Sequence, residues 1–284
     1  MKHSELSERE QVLDTARKWY CRIPFPTEWD AEFEALLKEQ EDLRCMSFAD
    51  YDLDQNTPGK DLVMFLYFCE ELSARYKKAG ISQDILLATV EDFVISVKRN
   101  RILTGKMGIV RASALKNHLS MQLFRIGRLQ FCMTGAVMDI PAMGICKGDP
   151  VMDIHVPIGG PMTMQACKDA FAAAEKFFEK YFPQYHYRYY TCYSWLLDEV
   201  LQQFLNENSN ILQFQKLFAV VHKSEGDSIL HFMFRYGIET REELKNYPAN
   251  TRFAQAVKDY ALAGGVFYNV LGVMEYGAWN KIIA

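Results

Sequence analysis

The sequence lacks a hydrophobic run long enough to cross a bilayer. Its apolar stretch at 62–68, LVMFLYF, is far short of the roughly 20 residues a spanning helix needs. It also lacks a dominant charge. Lys and Arg total 32 against 36 Asp and Glu, a net charge of −4, which is not the footprint of a broad nucleic-acid surface. A disulfide framework is missing too: the seven cysteines are an odd number, and none lies two or three residues from another. Those spacings exclude a zinc ribbon as well. The opening string MKHSELSEREQVLD has no apolar signal-peptide core. No internal repeat or low-complexity tract is present. What remains is ordinary globular composition, 49% hydrophobic and 24% charged. The expectation is a reduced, cytoplasmic protein with no nucleic-acid or membrane partner.

The first ~115 residues carry helical signals only. Ser7 and Glu10 fit a capping box. Thr27 is placed to cap a helix over TEWDAEFEALLKEQ. Asn56-Thr57-Pro58-Gly59 reads as a turn, followed by a helix from about Asp61 to Lys78 that Gly80 closes. Ser82 then caps one helix over SQDILLATVEDFVISVK.

The pattern changes near Ser120. FRIGRLQFCM (124–133) reads as a strand. VMDIHVPI (151–158) alternates, with Asp153 and His155 on one face and Met152 and Ile154 on the other. After Gly159-Gly160-Pro161, Thr163 caps a helix to Phe182, whose apolar stripe at 164, 167, 171, 174, 178 and 181 suits packing on a sheet. HYRYYTCYS (186–194) is a further strand, leading into a helix over 195–205 that Ser194 caps. LFAVVH (217–222) and ILHFMFR (229–235) read as hairpin arms, with His222 and His231 facing each other but no third metal ligand near. A last helix spans about Thr251 to Ala263. The fold class is α+β: an all-α domain over 1–118, then a mixed sheet flanked by helices over 119–284.

Particular strings add to this order of elements. They are Gly127-Arg128-Leu129-Gln130-Phe131, Gly148-Asp149-Pro150-Val151, Asp153-Ile154-His155-Val156-Pro157 and Cys192-Tyr193-Ser194-Trp195-Leu196-Leu197-Asp198. Ser209-Asn210-Ile211, Phe214-Gln215 and Ala263-Gly264-Gly265 follow. On these the chain resembles a family of bacterial two-domain acyltransferase-like proteins, in which a helical N-terminal domain precedes a GNAT-like domain. The resemblance implies N-acyl transfer from acyl-coenzyme A, as co-substrate, to a small-molecule amine, with no metal. It also implies a sheet that splays between the strands near 151–158 and 186–194. The phosphate-binding loop of GNAT enzymes usually reads Gln/Arg-x-x-Gly-x-Gly/Ala. Here the equivalent place reads Val156-Pro157-Ile158-Gly159-Gly160-Pro161-Met162-Thr163, with two glycines, no basic or amide residue, and a proline that removes one donor.

Acyl transfer needs an anion cradle, a slot for the carrier arm, a base for the amine and an acid for the departing thiolate. Gly159, Gly160 and Thr163 at a helix N-terminus are the cradle candidates, with Lys168 one turn further in. The alternative for them is a plain strand-to-helix turn. His155 is the candidate base, because its ordinary pKa of about 6.5 suits neutral pH, and Asp153 is its orienting partner. Tyr190 or Tyr193 is the candidate acid that the resemblance implies, and Cys192 a candidate nucleophile; packing roles are the alternative for all three. Arg128, Gln130 and Ser194 are candidate substrate contacts, and Ser194 is equally a helix cap. Which strand faces coincide depends on register, which alternation leaves open. The rival to an enzyme is a binding or interaction protein on a degenerate scaffold of the same fold.

Overall fold

A computed structural model describes residues 7–53 and 55–280. Two compact units divide the chain, Met1–Arg125 and Ile126–Ala284.

The first unit is helical. α1 (Glu8–Tyr20) starts at the expected capping box: the Ser7 N–H donates to the Glu10 carboxylate (2.8 Å) and the Glu10 N–H to Ser7 Oγ (3.3 Å). α2 (Asp30–Glu39) begins later than expected. Thr27 makes no side-chain cap, and Thr27–Trp29 forms a 3-10 turn instead. α3 (Pro58–Ala79) begins earlier than expected. Thr57 Oγ1 accepts from the Lys60 N–H and Pro58 takes the first helical position, so the predicted turn is a helix start. Gly80 closes α3 with φ +71°, a left-handed conformation that favours glycine. The single helix predicted after Ser82 is two, α4 (Gln83–Val90) and α5 (Asp92–Thr104). Near the break, Thr89 Oγ1 bonds back to the Ile85 carbonyl (2.7 Å), a local competitor of helix continuity. α6 (Lys116–Leu119) is a single turn.

α3 is the axis of this core, burying Leu62, Phe65, Leu66, Phe68, Leu72 and Tyr76. At its flank Glu70 accepts from Lys18 Nζ (2.7 Å) and from Trp19 Nε1 (2.8 Å). The Lys18 hydrogen bond leads in holding this carboxyl below its ordinary range, and burial opposes it. A lowered folded-state pKa means stability present above the unfolded value and lost as pH falls through the folded one. Glu70→Gln is therefore expected to lower the urea midpoint at pH 7. The gap to wild type should close below about pH 4, near the ordinary carboxylate range.

The second unit is built on five strands of a six-stranded sheet of order β1-β2-β3-β4-β6-β5, whose β1 straddles the division. The strands are β1 (Leu123–Ile126), β2 (Leu129–Gly135), β3 (Pro150–His155), β4 (Tyr189–Ser194), β5 (Ala219–Glu225) and β6 (Tyr268–Glu275). The predicted strand over 124–133 is broken at Gly127-Arg128, where Gly127 has φ +60°. β2 and β3 are antiparallel, β3 and β4 parallel, and β6 runs antiparallel to both β4 and β5. α7 (Met164–Tyr181) covers one face, burying Cys167, Ala170, Phe171, Ala174, Phe177 and Phe178. Phe171 meets Phe131 of β2 (5.7 Å) and Tyr190 of β4 (5.1 Å) edge-on.

Two expectations beyond β4 are overturned. The helix over 195–205 is a pair of 3-10 turns, Trp195–Leu197 and Glu199–Gln203. Asp198 divides them: its carboxylate accepts from the Val200 N–H (3.1 Å) and from the Tyr268 N–H at the start of β6 (2.8 Å). The hairpin over 217–235 does not form. After α8 (Asn210–Gln215), β5 pairs with β6, and the second predicted arm is α9 (Ser228–Met233). Ile229 and Leu230 of α9 bury against Leu201, Leu244, Val257 and Phe267, with α10 (Arg252–Leu262) on the same cluster. Arg241 holds the turn before α9 by donating to both carboxylate oxygens of Asp227. His222 in β5 and His231 in α9 therefore do not face each other across a hairpin. No helix is long and apolar enough to cross a membrane among the described residues.

Candidate functional site

β3 and β4 lie side by side but pair over only two positions, Met152↔Tyr190 and Asp153↔Thr191. Each strand stays paired on its outer side to its end. Gln130↔His155 closes the β2–β3 ladder, and Ser194↔Val270 continues the β4–β6 ladder. On the inner side the strands part after Asp153 and Thr191. Residues 154–155 and 192–194 thus carry no β3–β4 pairing.

Register settles the facing that alternation left open. Asp153 is opposite Cys132 on one side and Thr191 on the other, and His155 is opposite Gln130. These residues share the face away from α7. The structure brings Asp153, His155 and Gln130 to one face. Thr191 was missed as a partner. It donates its hydroxyl to Asp153 Oδ1 (2.7 Å), while Asp153 Oδ2 lies 2.9 Å from His155 Nε2. Thr191 and Gln130 are buried, Asp153 is half-buried, and His155 is exposed. With Nε2 donating to the carboxylate, the neutral imidazole carries its lone pair on Nδ1.

Tyr190 and Cys192 alternate onto the opposite face, under α7. Tyr190 is wholly buried and donates to Glu175 (3.0 Å). Burial pushes its hydroxyl far above the ordinary tyrosine range. Burial also raises the Cys192 thiol well above its usual value, and the Asp153 carboxylate adds to the shift. A thiol so placed holds its proton at neutral pH, the reverse of an activated nucleophile. The structure therefore does not bring these two into the Asp153–His155 group. Ser194 Oγ accepts from the Leu196 N–H (3.1 Å), its capping alternative.

Beyond β3 the chain runs to α7 through 156–163. Gly159 and Gly160 have φ +100° and +71°, and a Cβ on either would meet nothing. Backbone conformation, not space, calls for glycine there. Thr163 Oγ1 caps α7 by accepting from the Ala166 N–H (3.2 Å). The first turn of α7 has no acidic residue, and Lys168 follows half-buried. Among the described residues, the backbone N–H groups of Gly159, Gly160, Met162 and Thr163 have no hydrogen-bond acceptor. Arg128 lies outside the loop, between β1 and β2. From the β1–β2 turn it donates to the Pro157 carbonyl (2.9 Å) and the Gly160 carbonyl (3.5 Å). The guanidinium that the loop lacks in its own string comes from another element and holds the loop's carbonyls.

The parallel pair that parts after two rungs, with a glycine loop and a capped helix between its strands, defines the GNAT type of fold. The chain belongs to the family with a GNAT-like C-terminal domain, which matches residues 123–274, and the N-acyltransferase N-terminal domain matches residues 5–121. No protein of curated function matches the sequence. Among solved structures, an acyltransferase in complex with decanoyl-CoA is similar at 24% identity and a TM-score of 0.73, over 93% of this chain and 88% of that one. An acyltransferase in complex with decanoyl-CoA and teicoplanin is similar at 22% identity and a TM-score of 0.69, over 96% and 90%.

Proposed function

We propose that this protein is an N-acyltransferase that moves an acyl group from acyl-coenzyme A to the amine of a small-molecule acceptor. The observation that carries the reading is the two-rung β3–β4 pairing with the glycine loop at its open end. A carrier arm with its own amides fits between strand edges that do not pair with each other. The loop N–H groups and the N-terminus of α7 suit the diphosphate, with Lys168 adding charge. His155 takes the proton from the amine as it attacks the thioester carbonyl, and Asp153 fixes the ring and steadies the imidazolium. The C–N bond forms, the C–S bond breaks, and the departing thiolate takes its proton from solvent, to which the imidazolium later returns the one it took from the amine. Family membership and the neighbours that bind acyl-CoA support the donor. The neighbour that binds teicoplanin supports a small-molecule acceptor, and amino sugars are the first amines to try.

The test is thiol release from acetyl-, octanoyl- and decanoyl-coenzyme A with a panel of amino sugars and other primary amines, with product mass as a second readout. Amine-dependent release and a product heavier by the acyl group are expected. No release with any pair, and no calorimetric binding of any thioester at millimolar concentration, would overturn the reading and leave a binding protein on this scaffold. Gly159→Val tests the cradle. A branched side chain at φ +100° costs about 1–3 kcal/mol of strain. The loop should shift, and Kd for coenzyme A should rise about tenfold or more at that energy, with kcat at saturating donor near wild type.

A further inference from the structure

We propose that Thr191 is a positioning residue for this reaction: its hydroxyl, given to Asp153, locks the carboxylate that orients the His155 ring. This rests on the acyl-transfer reading above. An aspartate bonded through one oxygen alone can still turn about its last side-chain torsion, and an imidazole bound to it turns with it. Here both oxygens are engaged, Oδ1 by Thr191 and Oδ2 by His155. Thr191 is suited to be the fixed end. It is 6% exposed, and its branched side chain has little freedom about its first torsion. Its backbone is held by pairing with Val273 on one side and Asp153 on the other. His155 is the more exposed end of the chain of bonds, at 46% side-chain exposure.

The position on the last rung matters. Asp153↔Thr191 is where β3 and β4 part. The hydroxyl-to-carboxylate bond therefore ties ring orientation to the last rung that joins the two strands. Thr191 itself does not reach the reacting atoms: its single proton is given to Asp153. A bond between side chains on neighbouring strands can also serve the sheet alone, at about 0.2–1 kcal/mol. The experiment has to separate those roles.

Thr191→Val keeps the branch and the strand preference and removes the hydroxyl. Thr191→Ser keeps the hydroxyl. The expected result is a kcat for Thr191→Val about ten- to a hundredfold below wild type, as for other small misplacements of a catalytic group. KM for the acyl-CoA should stay within about twofold, because uniform binding is untouched. Thr191→Ser should recover most of the kcat. Nitrogen NMR of the His155 ring should show one tautomer in wild type and in Thr191→Ser, and a mixture in Thr191→Val. Wild-type kcat with an unchanged ring signal in Thr191→Val would overturn the proposal, as would equal losses in the valine and serine variants. The ring signal needs no substrate. If the wild type transfers no acyl group, the functional reading fails, while the NMR comparison still decides whether Thr191 sets the tautomer.

Discussion

His155→Ala is expected to lower kcat for amine acylation by about 10²- to 10⁴-fold, the usual contribution of a positioned general base. The binding of acyl-coenzyme A should hardly change. The expectation follows from where the residue stands. His155 ends β3, beside the point at which β4 diverges, and it is held on that side of the sheet by its pairing with Gln130. Its ring is bound to a carboxylate that is itself bound to a buried hydroxyl. An exposed imidazole with that support has a defined ring orientation at the end of β3. Steady-state rates at saturating donor, with calorimetric Kd values for coenzyme A, check both halves. Equal losses in affinity and in kcat would make His155 a binding residue. An unchanged kcat would remove it from the mechanism. Asp153→Asn should fall between wild type and His155→Ala, since the amide can still accept from the ring but loses the charge that steadies an imidazolium.

The largest expected loss of stability is at Phe171. Its ring is wholly buried on α7 and is met edge-on by Phe131 and Tyr190, with Trp279 stacked at 6.2 Å. Phe171→Ala removes about 3–5 kcal/mol, combining lost transfer energy with the void left behind. Against a typical total of about 5–15 kcal/mol, that is a large share. The void is walled by aromatic side chains that cannot easily collapse into it, and two of them have polar ends already committed. Tyr190 donates to Glu175, and Trp279 Nε1 donates to the same carboxylate at 2.7 Å. Urea unfolding of the second unit, followed by tryptophan fluorescence, measures the loss. A midpoint within error of wild type would show that this helix–sheet contact contributes far less than its burial indicates.

Local signals wrote much of this structure legibly. The Ser7–Glu10 box, the stripe of α7, the Thr163 cap and the alternation of β3 each depend on residues a few positions apart. The failures depend on distant partners. β6 is central, paired on both edges, and buried from Val270 to Met274. A strand covered on both faces shows no alternation, and Gly272 weakens its strand signal further. That glycine has a tertiary reason: a Cβ there would come within 2.7 Å of Leu197 Cδ1 and of Phe218 Cβ. α9 was misread because Ile229 and Leu230 are adjacent apolar residues that fit strand or helix, and the cluster around Val257 and Phe267 decides between them. For the candidate site, sequence gave residue types but not their grouping. Asp153 and His155 lie on one strand and were legible as a pair. Thr191 is 38 residues from Asp153, and only the β3–β4 register reveals that they meet.

The short β3–β4 ladder has a mechanical consequence. Each of these strands is laddered to its outside neighbour along its length, so the two halves of the sheet are stitched by two rungs alone. No hydrogen-bonded ladder beyond those rungs has to be torn to admit a slender guest between the strand ends.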